Sequence, residues 1–290
     1  MLAALLIYGL INSVTLALTA LGFSLAYGVS RVANFAHGAL YILAGFSTWV
    51  FLNRLDLNYY LAVLLSLLLI SLMGAAIYQL ALIRVRGMPL LEIIVTFALG
   101  TAILEGLRYF GLFGSHYSLP PLVLGSVNLF GVPVDRHRIA LVVIGVGLIF
   151  LLWFFTRHTR IGLALRAMAQ DEQAAMMLGI DSDRMATFSL ALGGALVALA
   201  AAVVLPLGFI ATESGGNILV SAVAVCILGG LESAPGVIVA SFIIGYAQIL
   251  TVAYLGPHYQ MIVSLAAILL TLIVKPSGLF GKQKELEERV

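Results

Sequence analysis

Long, continuous apolar runs constrain this chain more than any other feature. They cover residues 2–29, 35–52, 59–83, 93–113, 139–155, 185–207, 218–231, 236–254 and 259–274. Most approach the about 20 apolar residues that a helix needs to cross a bilayer. The runs do not alternate apolar with polar residues, which selects helices over a β-barrel. In lipid every backbone N–H and C=O must find a partner inside the protein, and a helix supplies that within one segment. The chain is 62% hydrophobic and only 10% charged, against about 25% charged residues in a soluble domain. The expected fold is an all-α polytopic membrane helix bundle of about eight or nine segments, with residues 1–290 forming one transmembrane domain. The first run is long enough to tilt or break. The seventh, 218–231, is short for a full span, and reads as a half-helix or as a crossing completed by irregular backbone.

Arginine and lysine counts set the expected orientation, because positive residues accumulate on the cytoplasmic side. Arg31, Arg84, Arg86, Arg157, Arg160, Arg166, Arg184, Lys275, Lys282, Lys284 and Arg289 fall on one side, and Arg54, Arg108, Arg136 and Arg138 on the other. The first side is expected to be cytoplasmic, with the N-terminus outside and the tail, 275–290, inside. The first positive charge is Arg31, so the N-terminus reads as a mature first span rather than a cleavable signal. Parity then requires an even number of crossings between Arg184 and Lys275. A single helix over 218–254 would be about 55 Å long at about 1.5 Å per residue, too long for a ~30 Å core. The chain must therefore break near Gly229, Gly230, Pro235 and Gly236, whose backbones suit a break. The net charge of +2 gives no reason to expect a nucleic-acid partner.

Between the apolar runs, residues 157–184 gather eight of the charged residues. Ala, Leu, Met, Gln, Arg and Glu dominate there and favour helix. Gly179 is placed for a left-handed helix end, and Asp181 or Ser182 for capping the next helix. On a continuous helix, residues 161, 165, 168, 172, 175, 176 and 179 share a face. That face would offer Met168, Met176 and Met177 as adaptable apolar contacts, with Arg166 and Asp171 fixing register and Glu172 beside them. On the opposite side, the glycines and prolines of 114–138 suggest an ordered loop, with Leu122–Leu124 and Val132–Val134 as strand-like pieces of a hairpin.

Smaller motifs each admit two readings. Asn34, His37 and Gly38 lie where the first run meets the second. Polar side chains at that depth either hydrogen-bond the chain break itself or order a broken helix beside a permeation path. Gly229 and Gly230 mark the second break and share this candidacy. Glu232 in that break is either solvated or part of a gate. Gly236, Ala240, Ser241 and Gly245 form a small face for close helix packing. Glu105 and Arg108 are spaced to pair, and Glu92 suits a helix start. No phosphate loop, nucleophile elbow or zinc-binding pair occurs, so neither cofactor nor catalysis is expected. Energy for active transport would have to enter through another chain.

These residues resemble the permease subunits of branched-chain amino-acid ABC importers of the LivH type. Asn34-Phe-Ala-His-Gly38 looks like the family's early signature. Arg166-Ala-x-x-x-Asp171, with Ala174-Ala175 and Leu178-Gly179-Ile180, looks like its cytoplasmic coupling motif. Leu228-Gly229-Gly230-x-x-Ser233-x-Pro235-Gly236 and Pro276-x-Gly278-x-x-Gly281 match its C-terminal landmarks. Glu232, where the family usually has a small residue, and the stretch from Thr212 to Asn217 depart from it. The resemblance implies a multi-pass permease of a bacterial or archaeal inner membrane that catalyses nothing itself. It further implies a second, homologous permease, two cytoplasmic ATPase subunits docked on the coupling segment, and an external substrate-binding protein. The cargo would be branched-chain or other neutral amino acids. The competing reading is an autonomous channel for a small polar solute such as urea or an amide.

Overall fold

The computed structural model describes residues 2–112 and 117–281. Lys282, Lys284 and Arg289 of the expected tail lie outside the described residues, as do 113–116 of the expected external loop. The chain is helical almost throughout. The first half comprises α1 (Leu2–Ser30), α2 (His37–Asn53), α3 (Tyr59–Ala76) and α5 (Pro89–Tyr109). Between the last two, α3 continues through a π-helical stretch, Ile77–Leu82, into α4 (Ile83–Val85). A hairpin of β1 (Ser126–Leu129) and β2 (Val132–Asp135) leads into α6 (Arg136–His158). Two short helices follow, α7 (Arg160–Gln170) and α8 (Glu172–Met177). The chain ends with α9 (Ser182–Val204), α10 (Ser214–Gly229), α11 (Ala234–Tyr254) and α12 (Gln260–Val274). Among the described residues, seven helices are long and apolar enough to cross a membrane, and Ser214–Gly229 is a shorter apolar one. The polytopic helical bundle expected from the apolar runs is the observed architecture.

Helices α1, α9 and α11 form the centre, and glycines set how closely they pack. A Cβ at Gly245 would stand 2.4 Å from Ser13 Oγ, so α11 lies against the backbone of α1. Gly22 and Gly193 face each other across α1 and α9, where an added Cβ on either would meet the other's carbonyl oxygen within 2.9 Å. Gly74 brings α3 equally near the Leu190 carbonyl of α9. Lipid offers no hydrophobic drive for helices to associate, so close backbone packing at small residues is what joins them. The rim is different. Phe150 and Leu151 of α6 and Leu269 and Ile273 of α12 are exposed, as side chains that meet lipid should be.

Two breaks shape the bundle. The first follows Ser30. Residues 31–36 run as non-helical chain, and His37 then donates from Nε2 to the Thr19 carbonyl at 2.8 Å, about three turns back along α1. Helix α2 therefore starts inside the bundle. The second break lies between α10 and α11, at Gly230–Ser233, where the sequence demanded one. Gly230 has φ +101°. Helix α10, 16 residues long, reaches from one end of the bundle to the other. Thr212, two residues before its start, adjoins the Arg108 cluster, and the last residue of α10 contacts the 278–281 segment at the other end. Four helices, α9, α10, α11 and α12, lie between Arg184 and Lys275, three of them long and apolar enough to cross a membrane and α10 shorter.

The hairpin forms, but with a different first strand. Ser126 to Leu129 pair with Val132 to Asp135. Leu122 is instead held by its N–H on His137 Nδ1 at 3.1 Å. The two-residue turn, Phe130-Gly131, has positive φ at both positions, the geometry that matches strand twist in tight hairpins.

Candidate functional site

The residues singled out around 157–184 gather at one end of the bundle, beside the 31–36 and 230–233 breaks. Thr159 opens this site by capping α7: its Oγ1 accepts the Gly162 N–H at 2.9 Å. The entry is tight, since a Cβ at Gly162 would stand 2.3 Å from the Phe155 carbonyl.

Helix α7 does not run on to Gly179 as the composition suggested. Asp171 takes an extended conformation (φ −153°, ψ 107°) and caps α8, accepting the Ala174 N–H at 3.0 Å. An aspartate whose carboxylate can serve a helix start competes with helix continuation. The segment is therefore two short helices, and the single face drawn through 161–179 is broken in phase at Asp171. Met168 turns inward as a result. It is 1% exposed and packs with Leu165, Ala175 and Val29, so it anchors the helix pair and is not an exposed contact. Met176, Met177 and Leu178 point outward, Met177 with 87% of its surface exposed. Gly179 ends α8 at φ +86°, and Ile180 N–H reaches back to the Ala175 carbonyl at 3.1 Å. Asp181 caps α9 through the Arg184 N–H. Both expected ends are where the sequence put them.

Arg166 and Asp171 do not pair. The Asp171 carboxylate is occupied by the α8 cap, and Arg166 Nε is buried with no hydrogen-bond partner among the described residues. Glu172 has a partner that sequence reasoning missed. Arg86, following α4, binds the carboxylates of Glu172 and Asp183 and donates to Ser182 Oγ at 2.6 Å. Ser182 in turn donates to Glu172 at 2.5 Å, and Tyr78 donates to Asp183 at 2.7 Å. Partial burial works against the Arg86 charge, but Tyr78, Glu172 and Asp183 around it outweigh that and hold the guanidinium more firmly protonated than usual. A second arginine, Arg31, donates to the Ala169 carbonyl at the end of α7 at 2.8 Å and pairs with Glu232 in the second break. Two arginines from remote loops thus clamp the α7–α8 pair. Their only sequence signal was lying on the same side of the charge count.

Asn34, His37 and Gly38 are buried in the first break. Asn34 Oδ1 accepts the Ala36 N–H at 3.1 Å, and the His37 ring stands edge-on to Phe23. A Cβ at Gly38 would stand 2.0 Å from the Gly215 carbonyl. Gly229 and Gly230 join the tail. Leu279 and Phe280 N–H groups donate to the carbonyls of Leu228 and Gly229, so the two C-terminal landmarks form one unit. Glu92 starts α5 as expected, accepting the Gly87 N–H at 2.9 Å.

At the opposite end Arg108 pairs with Glu105, as its spacing predicted, and also with Glu213, each at 2.9 Å. It donates further to Thr212 Oγ1.

The family described as "Branched-chain amino acid transport system / permease component" matches residues 5–272. The chain is 29% identical to the high-affinity branched-chain amino acid transport system permease protein LivH of Escherichia coli K12, over 93% of this chain and 94% of that protein. It is 27% identical to the corresponding permease protein BraD of Pseudomonas aeruginosa, over 96% and 95%. Among solved structures, PsaBC from Streptococcus pneumoniae in complex with Fab shares the fold, with a TM-score of 0.52 over 95% of this chain and 94% of that one at 14% identity.

Proposed function

We infer the role of this protein from its family: the chain belongs to the permease components of branched-chain amino acid transport systems. It is a transmembrane permease subunit of an ATP-binding-cassette importer and forms half of a translocation path. We propose the finer assignments that follow. A second, homologous permease completes the path, two ATPase subunits drive it, and a binding protein delivers the cargo from outside. The cargo is branched-chain or another neutral amino acid. The end carrying α7 and α8 faces the cytoplasm.

One observation carries the docking assignment. Met176, Met177 and Leu178 form an exposed apolar step on a helix pair clamped by Arg31 and Arg86. Apolar residues that meet water on a rigid mount suit a partner's groove, and methionine adapts to an imperfect fit. Arg166, Asp171, Glu172 and Gly179 then act by holding that step in place. Asn34, His37, Gly38, Gly229 and Gly230 shape the wall of the path through backbone geometry, since Asn34 Oδ1 and His37 Nε2 are already engaged by the chain itself.

The test is reconstitution. Liposomes with the chain, its companion permease, both ATPase subunits and the binding protein should take up leucine, isoleucine or valine only with ATP. Uptake by this chain alone would overturn the reading in favour of an autonomous channel. Met177→Asp should abolish copurification of the ATPase subunits while leaving stability within about 0.5 kcal/mol, as for an ordinary surface change. Retained copurification would remove Met177 from the docking surface.

A further inference from the structure

Arg31 holds an unusual position. It is a non-glycine residue at φ +58°, a left-handed conformation that such residues seldom adopt. Its backbone N–H still bonds the Tyr27 carbonyl at 2.8 Å, so the strain sits at the point where α1 stops. Its side chain reaches in two directions. One nitrogen donates to the Ala169 carbonyl, 138 residues away, at the C-terminal end of α7. A cation there is favoured because the last carbonyls of a helix lack intrahelical donors. The other nitrogen pairs with Glu232 in the break between α10 and α11. The break also leans on α1 directly: Ser24 Oγ donates to the Leu231 carbonyl at 3.1 Å, and a Cβ at Gly28 would stand 3.9 Å from the Glu232 Cα.

We propose that Arg31 is a positioning residue that ties the α7–α8 docking segment to the α10–α11 break. A displacement of α7 by its partner reaches the α10–α11 break through this side chain, beside the packing of Leu165 and Met168 on Val29 of α1. The inference rests on the permease reading above and adds to it a route for the displacement. Arg86 does not duplicate this link, because it joins α8 to α9 and reaches no part of the break. The Arg31–Glu232 contact is partly exposed. Exposed ion pairs contribute little to stability, so the pair can be made and broken as the transporter cycles. Glu232 thereby gains a role as the partner that lets the break follow Arg31.

The experiment uses the complete reconstituted assembly and measures ATP hydrolysed per amino acid taken up. Glu232→Gln keeps the Arg31–Ala169 bond and weakens the tie to the break. It should raise ATP consumed per substrate about five-fold or more, the lower end of typical coupling effects, while ATPase copurification and melting temperature stay at wild-type values. Arg31→Gln loses both ties and should raise the ratio at least as far. If the two residues act as a unit, the double variant should be no worse than Arg31→Gln, since coupled residues are not additive. A wild-type ratio in Glu232→Gln, additive effects in the double variant, or a melting temperature that falls in step with coupling would each overturn the proposal. If the wild-type assembly shows no ATP-driven uptake, the permease reading falls and takes this one with it. Normal wild-type uptake with unaltered variants sinks the Arg31 link alone.

Discussion

The two breaks solve one problem by different means. Interrupting a helix inside a membrane protein frees backbone N–H and C=O groups, and each must be paired away from water. The first break, at 31–36, uses side chains. Asn34 takes the Ala36 N–H, Thr96 Oγ1 takes the Phe35 N–H at 3.2 Å, and His37 returns to α1. The second break, at Gly230–Ser233, relies chiefly on backbone, with the Ser24 hydroxyl on the Leu231 carbonyl and the Ser233 hydroxyl on the Gly236 N–H beside it. Its α10 carbonyls are capped by the N–H groups of Leu279 and Phe280, and glycines let the strands of chain meet. A Cβ at Gly229 would lie 2.5 Å from the Gly236 carbonyl, and one at Gly278, itself at φ +78°, would lie 2.6 Å from the Gly230 nitrogen. Side-chain solutions lose one bond at a time when mutated. Backbone solutions tolerate no side chain at all.

This difference predicts a hierarchy. The largest effect belongs to the second break. Gly229→Leu places four carbons where the Gly236 backbone sits, so α10 and α11 must separate. We expect destabilisation above about 4 kcal/mol, the range reserved for severe steric or core damage, read as loss of the monodisperse peak on size-exclusion chromatography. A well-folded Gly229→Leu protein would show that the glycine contact is slack.

The first break should respond in smaller steps. His37→Phe keeps a ring against Phe23 and removes the donor to Thr19. It should cost about 1–3 kcal/mol, the usual penalty for one lost buried hydrogen bond, measured by chemical denaturation in detergent. Asn34→Ala should cost about 1 kcal/mol. Asn34→Asp keeps the acceptor for Ala36 and should recover part of that loss at pH 7. An Asp variant no better than Ala would move the important contact from the side-chain oxygen to the amide nitrogen.

Local rules made much of this legible. The apolar runs, the glycine break, the Gly179 end, the Asp181 cap and the Glu105–Arg108 pair all follow from spacing within a few residues. The α7–α8 site was read less well, because one residue changed its phase. Asp171 served equally as a helical surface residue and as a cap, and choosing the first put Met168 outside. The clamps were illegible for another reason. No local pattern relates Arg31 to Ala169 and Glu232, or Arg86 to Ser182 and Asp183. Such links exist only once the bundle has brought separate loops to one end. The hairpin's first strand was misplaced because Leu122–Leu124 and Ser126–Leu129 offer similar β-friendly composition, and the Phe130-Gly131 turn, which selects the register, lacks the usual Asn or Asp.

A third interruption, before α10, sharpens the contrast and carries the smallest effect. Here the chain between Gly208 and Glu213 is pinned by ions at the bundle's other end, through Arg108 to Thr212 and Glu213. Its own backbone N–H first, then the Thr212 hydroxyl, hold the Glu213 carboxyl below the usual carboxylate range; desolvation opposes them, and Arg108 adds to the depression. The sign follows from that depression. The folded state prefers the ionised form, so Glu213 contributes stability above the unfolded carboxylate value of about 4.3, and the contribution disappears as pH falls through the lower folded value. Glu213→Gln should therefore melt slightly below wild type at pH 7, and the two curves should converge as the pH drops below about 4. Because the group is exposed, added salt should narrow the gap at pH 7 as well. Arg108→Gln also loses Thr212, and should melt below Glu213→Gln at every pH. If the gap between Glu213→Gln and wild type is instead independent of pH and salt, the third break is held by packing, and ions are not a distinct way of closing a membrane helix interruption in this protein.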